Sequence, residues 1–235
     1  MTSTLNGRVM LVTGASRGIG RAAARSLATE GAHVILVART VGGLEEVDDE
    51  IRGSGGSATL VPLDLRDFPA LDRLGASIFE RWGKLDGFLG NAGVLGQLTP
   101  LAHMQPKVFQ ELLDVNVTAN WRLIRSLDPL LRRSDAGRAL FVTSGAAHNR
   151  TTYWGGYAMS KSALESVVFT YASECEGTDI KVNVLSPGPL RTRMRAQAMP
   201  GEDPAELRPP EAICPLIVEL LSPHCTRNGE LVQFR

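Results

Sequence analysis

The sequence has few cysteines, and they form no recognisable pattern. Three of its 235 residues are Cys, and neither a CxxC pair nor an HExxH segment occurs among these cysteines and the four histidines. Disulfide frameworks and tetrahedral zinc sites depend on defined spacings of such residues. The composition therefore predicts a reducing environment and no metal site.

Charge of one sign and long apolar runs are also absent. The 25 Lys and Arg residues balance the 25 Asp and Glu residues, whereas a nucleic-acid-binding protein generally presents a broad basic surface. No apolar run is long enough to cross a bilayer, and the first seven residues do not resemble a signal peptide. We therefore expect no nucleic-acid partner, no membrane association and a cytoplasmic location.

Hydrophobic residues nevertheless make up 43% of the chain, which excludes a disordered protein. Short apolar runs rich in Leu and β-branched residues occur at 9–12, 34–37, 60–61, 85–89, 140–142, 180–185 and 231–234. Segments with helix-like composition lie between most of them, at 18–30, 44–52, 68–82, 107–132 and 158–175. Because strands buried on both faces lack polar alternation, this order predicts an α/β, doubly wound Rossmann fold. We expect a parallel sheet of about seven strands, flanked by helices on both faces.

The length favours one domain spanning 1–235, although two small domains would also be possible. Pro-rich segments interrupt the strand and helix pattern near the C-terminus. Long irregular segments in compact domains often serve as lids or binding loops. We therefore expect a substrate loop or lid over about 189–211.

A glycine-rich segment follows the first predicted strand and begins the first predicted helix. It reads Thr13-Gly14-Ala15-Ser16-Arg17-Gly18-Ile19-Gly20. Glycines allow a tight turn and close approach of the backbone to a ligand, while the N–H groups and dipole of a helix start attract a pyrophosphate. An ordinary strand-to-helix turn is the alternative for this segment alone. Its position between a strand and a helix favours a dinucleotide-binding loop.

The end of the second predicted strand indicates which dinucleotide would bind. It carries Arg39 and has no acidic residue before Glu45. An acidic residue at this place binds the ribose 2′-OH of NAD, whereas an arginine binds a 2′-phosphate. Arg17 is a second candidate partner for that phosphate, and solvated surface arginines are the alternative for both. The pattern favours NADP(H) over NAD(H).

Six short motifs occur in chain order over about 7–192. They are the TGxxxGxG loop, the NAG motif, an Asn in a long helix, a Ser after the fifth strand, the YxxxK pair and the PGxxxT segment. Their residues are Gly14, Gly18, Gly20, Asn91, Ala92, Gly93, Asn116, Ser144, Tyr157, Lys161, Pro187, Gly188 and Thr192. Together these motifs resemble the short-chain dehydrogenase/reductase family, and within it the NADP-preferring bacterial reductases. Their order and spacing make the resemblance specific.

The resemblance implies a catalytic tetrad of Asn116, Ser144, Tyr157 and Lys161. Tyr157 is expected to exchange a proton with the substrate oxygen, Ser144 to hold that oxygen, and Asn116 to place a water in a relay to Lys161. Tyr157 and Lys161 are also four residues apart and share a helix face, so the ammonium is expected to lower the pKa of the phenol. Taken singly, these residues have ordinary alternatives as a surface pair, a helix cap or a polar helix residue.

The expected cofactor-binding set combines the motifs with the resemblance, which also implies an adenine-contacting pair after the third strand. Its members are Gly14, Ser16, Arg17, Gly18, Ile19, Gly20, Arg39, Asp64, Leu65, Asn91, Ala92, Gly93, Tyr157, Lys161, Pro187, Gly188 and Thr192. The function expected from this set is an NADP(H)-dependent oxidoreductase that transfers hydride between the nicotinamide and a carbonyl or alcohol substrate.

Two other functions are alternatives: an NAD-dependent alcohol dehydrogenase and a non-catalytic dinucleotide-sensing protein. The intact tetrad argues against the sensor, because a sensor needs no proton relay. An apolar substrate wall is expected from Leu95, Ala146, His148, Trp154, Pro189, Leu190 and Met194. The alternating Arg191, Arg193 and Arg195 would suit either an acidic carrier or a solvated surface. By resemblance, the helices at 107–132 and 158–175 would form the main contact of a homodimer or homotetramer.

Overall fold

The computed structural model describes residues 4–235, and a parallel sheet forms its centre. The strands are β1 (Val9–Thr13), β2 (His33–Ala38), β3 (Ser57–Pro62), β4 (Gly87–Gly90), β5 (Arg138–Val142), β6 (Lys181–Ser186) and β7 (Leu231–Gln233). They are arranged in the order β3-β2-β1-β4-β5-β6-β7, and every neighbouring pair in this sheet is parallel. The predicted doubly wound sheet is therefore confirmed.

Helices connect the strands and cover both faces of the sheet. Those in the described part of the chain are α1 (Gly18–Thr29), α2 (Val41–Gly53), α3 (Phe68–Trp82), α4 (Pro106–Leu113), α5 (Ala119–Leu131), α6 (Gly155–Glu174), α7 (Arg193–Ala198) and α8 (Cys214–Leu221). Short 3₁₀ turns lie at Leu101–His103, Gly145–Ala147, Pro204–Glu206 and Pro210–Ile213. The apolar run in α8 was not predicted to be helical.

Two apolar cores lie on opposite faces of the sheet, and alternate residues of each strand contribute to them. Met10 and Val12 of β1 pack in one core with side chains from α1, α2 and α8. Leu11, between them, packs in the other core with side chains from α3, α5 and α6. Since successive strand side chains point to opposite faces, burial on both sides requires the uninterrupted apolar runs seen in the sequence.

The predicted helix over 107–132 is present, and it contains one irregular turn. A π-helical segment, Asp114–Thr118, joins α4 to α5, and the backbone stays right-handed helical at both junctions. Such wide turns are rare, occur mostly within α-helices and are frequent at functional sites. Asn116 lies in the middle of this segment and is fully buried.

Among residues 4–235, no helix has both the length and the apolar character needed to span a membrane. In the same range, no three His, Cys, Asp or Glu side chains are grouped so as to hold a metal ion. Cys175, Cys214 and Cys225 are buried and form no disulfide.

Candidate active site

A cleft of about 1020 Å³ opens where the strands of the sheet end in their carboxyl termini. The order of the strands in the sheet changes direction between the neighbouring strands β1 and β4. Ligands of open α/β sheets bind at such a switch point. The predicted site residues that line the cleft are Gly14, Ser16, Arg17, Gly18, Ile19, Arg39, Asp64, Leu65, Asn91, Ala92, Gly93, Ser144, Tyr157, Lys161, Pro187, Gly188 and Thr192. Gly20 and Asn116 do not line the cleft, and both are buried.

The glycine-rich loop has a conformation that other residues would adopt only with strain. Gly14 and Gly18 have φ values of +67° and +55°, in the left-handed region. At Gly20, an added Cβ would lie 2.3 Å from the Gly14 carbonyl oxygen and 2.5 Å from Asn91 Nδ2. The N-cap residue of α1, Arg17, makes no side-chain cap hydrogen bond. The helix start therefore offers backbone N–H groups to a ligand phosphate, as a dinucleotide requires.

Thr13 connects this loop to the NAG motif, although it was not in the predicted site set. Its hydroxyl accepts hydrogen bonds from the backbone N–H groups of Asn91 (3.0 Å) and Ala92 (3.1 Å), and donates to the Leu89 carbonyl oxygen (3.3 Å). Asn91 Nδ2 in turn donates to the Thr13 carbonyl oxygen at 2.9 Å. These bonds join the ends of β1 and β4. The signal in the sequence was Thr13 itself, the first residue of the TGxxxGxG match.

Two arginines lie at the end of the cleft nearest β2. Arg17 and Arg39 line the cleft and are exposed, and neither side chain forms an ion pair or hydrogen bond within residues 4–235. By contrast, Arg66 binds Asp64 with Nη2–Oδ2 and Nε–Oδ1 distances of 2.7 and 3.2 Å. This hydrogen-bonded pairing holds the pKa of Asp64 below its usual value. The local carboxylate is thus already engaged, and the cationic heads of Arg17 and Arg39 are available to an anion.

Tyr157 and Lys161 lie at the opposite end of the cleft, on the first turns of α6. Their side chains face the end of β5, and Lys161 Nζ donates a hydrogen bond of 2.9 Å to the Val142 carbonyl oxygen. The ammonium lies 5.8 Å from the centre of the Tyr157 ring. Ser144 lies two residues after the end of β5. Its hydroxyl caps a 3₁₀ turn by accepting the Ala146 N–H at 3.2 Å. The structure thus brings three of the four predicted catalytic residues to one place.

Burial works against the lowering of the Tyr157 pKa that is expected from Lys161. Burial raises the pKa of Tyr157 to about 12, and the nearby Ser144 hydroxyl has a smaller effect in the opposite direction. Lys161 is itself buried, which lowers its pKa to about 8. Both changes have one physical cause, because removal from water disfavours the charged form of each group.

Asn116, the fourth predicted catalytic residue, is held behind the cleft by three hydrogen bonds. Its Oδ1 accepts the Val94 N–H at 2.8 Å, and its Nδ2 donates to the Val94 carbonyl oxygen and to Ser160 Oγ, both at 2.9 Å. A Cβ at Gly93 would lie 3.2 Å from Asn116 Oδ1 and 3.4 Å from Lys161 Nζ. The absence of a side chain at Gly93 therefore lets Asn116 and Lys161 approach the same point.

The apolar wall of the cleft differs in part from the predicted one. Leu95, Trp154, Leu190 and Met194 line the cleft, as predicted, together with Val94, Val108, Val115 and Ala198. The predictions for Ala146, His148 and Pro189 are wrong, since none of the three lines it. The 3₁₀ turn after Ser144 buries Ala146 in a small core. It also directs the His148 ring towards Glu165 of α6.

The segment predicted as an irregular lid is more ordered than expected. Thr192 caps α7 by accepting the Arg195 N–H on its hydroxyl at 3.2 Å. Arg195 pairs with Glu202 through two contacts of 2.6 Å, and an isolated parallel bridge joins Leu190 to Arg208. Arg195 is thus engaged within the segment, and this weakens the idea that it attracts an acidic carrier.

The fold and the site together define a dinucleotide-binding α/β protein with a Tyr–Lys pair in its cleft, and comparison with known proteins agrees. Residues 8–203 match the short chain dehydrogenase family. The uncharacterized oxidoreductase YciK of Escherichia coli (strain K12) is 40% identical over 227 residues, which cover 95% of this chain and 90% of that protein.

Solved structures extend the similarity over nearly the whole chain. A short chain dehydrogenase from Pseudomonas syringae has a TM-score of 0.96 at 39% identity, covering 99% of this chain and 96% of its own. Another, from Shigella flexneri and in complex with NADP, has a TM-score of 0.95 at 38% identity and covers 99% of both chains. The chain belongs to the short-chain dehydrogenase/reductase family. It is an oxidoreductase of the kind that acts on CH–OH and C=O groups.

Proposed function

We propose that the protein is an NADP(H)-dependent oxidoreductase that interconverts a carbonyl compound and the corresponding alcohol. One observation carries the proposal: one cleft has at one end two arginines without a partner among residues 4–235, and at the other the buried Tyr157–Lys161 pair. A phosphorylated dinucleotide needs cationic partners at its adenosine end and an acid–base group at its nicotinamide end. The NADP complex of the Shigella flexneri relative supports the same assignment.

The residues of the cleft fit this cofactor. The backbone of the glycine-rich loop and the start of α1 would hold the pyrophosphate, Arg17 and Arg39 the 2′-phosphate, and Asp64 with Leu65 the adenine. The remaining predicted contacts line the nicotinamide half of the cleft: Asn91, Ala92, Gly93, Tyr157, Lys161, Pro187, Gly188 and Thr192. When bound, the nicotinamide donates hydride to a carbonyl carbon or accepts it from an alcohol.

The protein's own residues would supply the proton and hold the substrate. With its pKa raised to about 12, the Tyr157 phenol keeps its proton at neutral pH, so it suits protonation of a carbonyl oxygen during reduction. Ser144 would hold that oxygen beside the phenol. Lys161 would bind the nicotinamide ribose, and its positive charge would stabilise the phenolate after proton transfer. Asn116 would place the water of a relay that returns a proton through Lys161 to the Tyr157 phenolate.

The substrate side of the cleft supports an apolar carbonyl or alcohol substrate. Its wall is formed by aliphatic and aromatic side chains around Trp154 and Met194, and Met194 Sδ lies 4.0 Å from the Tyr157 hydroxyl. We propose that 189–211 is the substrate lid and that 1–235 acts as one domain which binds both cofactor and substrate. Three buried, unpaired cysteines support a cytoplasmic location.

The proposed assembly is a homodimer or homotetramer in which α5 and α6 form the main contact. Trp121, on α5, leaves 43% of its surface exposed in the single chain. Aromatic residues are enriched at such interfaces. Analytical ultracentrifugation tests this, with Trp121→Glu as the variant expected to dissociate the assembly. A parent protein that sediments as a monomer would contradict it.

The proposed reaction is tested by NADPH oxidation with a panel of ketones and quinones. Tyr157→Phe removes only the phenolic hydroxyl, and the rate should fall at least ~10²-fold if that hydroxyl is the general acid. Tyr153→Phe is the matched control, because Tyr153 lies four residues away and is 56% exposed. Full activity in Tyr157→Phe, or an equal loss in both variants, would contradict the assigned role.

A further inference from the structure

Glu165 is a buried carboxylate to which the proposed function gives no role. It lies on α6 four residues after Lys161 and eight after Tyr157, so the three side chains share one face of the helix. The side chains of Lys161 and Glu165 are both bonded to consecutive residues at the end of β5. Lys161 Nζ donates to the Val142 carbonyl oxygen at 2.9 Å, and Thr143 Oγ1 donates to Glu165 Oε1 at 2.5 Å.

Polar side chains from two elements surround the carboxyl group of Glu165. Its Oε2 lies 3.1 Å from His148 Nε2, and the His148 side chain is half exposed. Each carboxyl oxygen of Glu165 thus has a polar neighbour, a hydrogen bond from Thr143 at one and the His148 ring at the other, although only 5% of the residue is accessible to solvent. A buried charge needs such partners, because a carboxylate without them would be strongly disfavoured.

The titratable groups around the Lys161–Glu165 pair come from two elements. Tyr157 is on the same helix, and His148 follows the 3₁₀ turn after β5. The π-helical segment contributes the neutral amide of Asn116, which bonds to Ser160 of α6. Strand β5 contributes only the Val142 carbonyl and the Thr143 hydroxyl. Glu165 is therefore the acidic group in these contacts that can neutralise the Lys161 ammonium.

We propose that Glu165 is the counter-ion of Lys161 and acts as a positioning residue for the reaction. Its negative charge keeps the buried ammonium protonated at the pH at which the enzyme works, while Thr143 and His148 fix the carboxylate in place. The inference rests on one part of the proposed function, which is that the reaction requires the positive charge of Lys161. Charge balance supports it, since burial lowers the pKa of Lys161 and Glu165 acts in the opposite direction.

The direct test is the titration of Lys161 in Glu165→Gln. Glutamine has the same shape and can bond to both neighbours, but it carries no charge. The protein is labelled with ¹³C at the lysine ε-carbons, and the Lys161 signal is the one lost in Lys161→Met. Without cofactor, the midpoint of this signal should fall by about one pH unit or more in Glu165→Gln. The basic limb of the kcat profile for carbonyl reduction should move in the same direction.

Two further variants separate charge from packing. Glu165→Asp retains the charge, so its Lys161 midpoint should lie closer to the parent value than that of Glu165→Gln. Glu174→Gln removes an exposed carboxylate near the end of the same helix and should leave the midpoint unchanged. An unchanged midpoint in Glu165→Gln, or equal shifts in the Gln and Asp variants, would overturn the proposal.

A reciprocal measurement covers the case in which Glu165→Gln does not fold. Interacting groups shift each other's titration, so Lys161→Met should move the titration of Glu165, followed by ¹³C at its carboxyl carbon, to higher pH. No movement would also overturn the proposal. Because both titrations are recorded without cofactor or substrate, they can fail while Tyr157→Phe behaves as expected, and the reverse is also possible.

Discussion

The two ends of the cleft contain ionisable groups in opposite environments. Arg17 and Arg39 are exposed and have no protein partner in the described chain, whereas Tyr157 and Lys161 are buried, with 7% and 3% of their surfaces accessible. Exposed charges are weakened by salt and can be exchanged without disturbing the core. Buried charges depend on fixed neighbours, and their proton affinities change with burial. The difference suggests that cofactor preference and acid–base chemistry can be altered independently.

The strongest way to separate the two ends is Arg39→Asp. The change replaces an attraction for the 2′-phosphate with a repulsion, and like charges in contact cost several kcal/mol. The ratio of kcat/KM for NADPH to that for NADH should therefore fall by about 10²-fold or more. kcat with saturating cofactor should change little, because the Tyr157 end is unaltered.

Arg73→Asp provides the control for this charge reversal, since Arg73 is exposed on α3 and does not line the cleft. It should preserve the preference for NADPH. A parent enzyme that already prefers NADH would contradict the assignment of Arg39 and favour the NAD-dependent alternative.

A second prediction concerns Gly20, where the loop and the NAG motif meet between the two ends. In Gly20→Ala the new methyl group would overlap the Gly14 carbonyl oxygen at 2.3 Å. Overpacking of this kind costs about 1–3 kcal/mol, so both the free energy of unfolding in urea and the affinity for NADPH should decrease. Gly42→Ala is the matched control, because nothing lies within 4 Å of an added Cβ there. A Gly20→Ala protein as stable as the control would contradict the close packing.

These positions also show which parts of the site can be predicted from sequence. The glycine-rich loop, the NAG motif and the Tyr157–Lys161 spacing are local patterns, and the structure places them together because parallel strands end at one edge of the sheet. The π-helical turn at Asp114–Thr118 was not predictable, since it is accompanied by hydrogen bonds between Asn116 and Val94, 22 positions away. The effect of burial on the pKa of Tyr157 was not predictable for a similar reason, because burial depends on tertiary packing.

The third prediction uses pH to characterise the buried end. Lys161 is protonated below its pKa of about 8 and neutral above it, while Tyr157, with a pKa of about 12, stays protonated throughout. The kcat/KM for carbonyl reduction should therefore be level near pH 7 and fall as pH rises through about 8, by about tenfold per unit at higher pH. Added salt should raise the KM for NADPH but move this limb little, because Lys161 is shielded from solvent. If added salt shifted the basic limb of the kcat/KM profile as strongly as it changed the KM for NADPH, Lys161 would be as open to solvent ions as Arg17 and Arg39. That result would contradict the difference in environment between the two ends.

The smallest expected effect is at the Arg195–Glu202 pair, which lies outside both ends. Each side chain is about one-quarter exposed, and such partly exposed pairs contribute up to about 1 kcal/mol. A double-mutant cycle with Arg195→Ala and Glu202→Ala measures their coupling from urea unfolding. The same variants should raise the KM for the carbonyl substrate more than the KM for NADPH, since the pair holds the end of α7 within the proposed lid. Equal increases in both constants would mean that this segment serves cofactor binding as much as substrate binding.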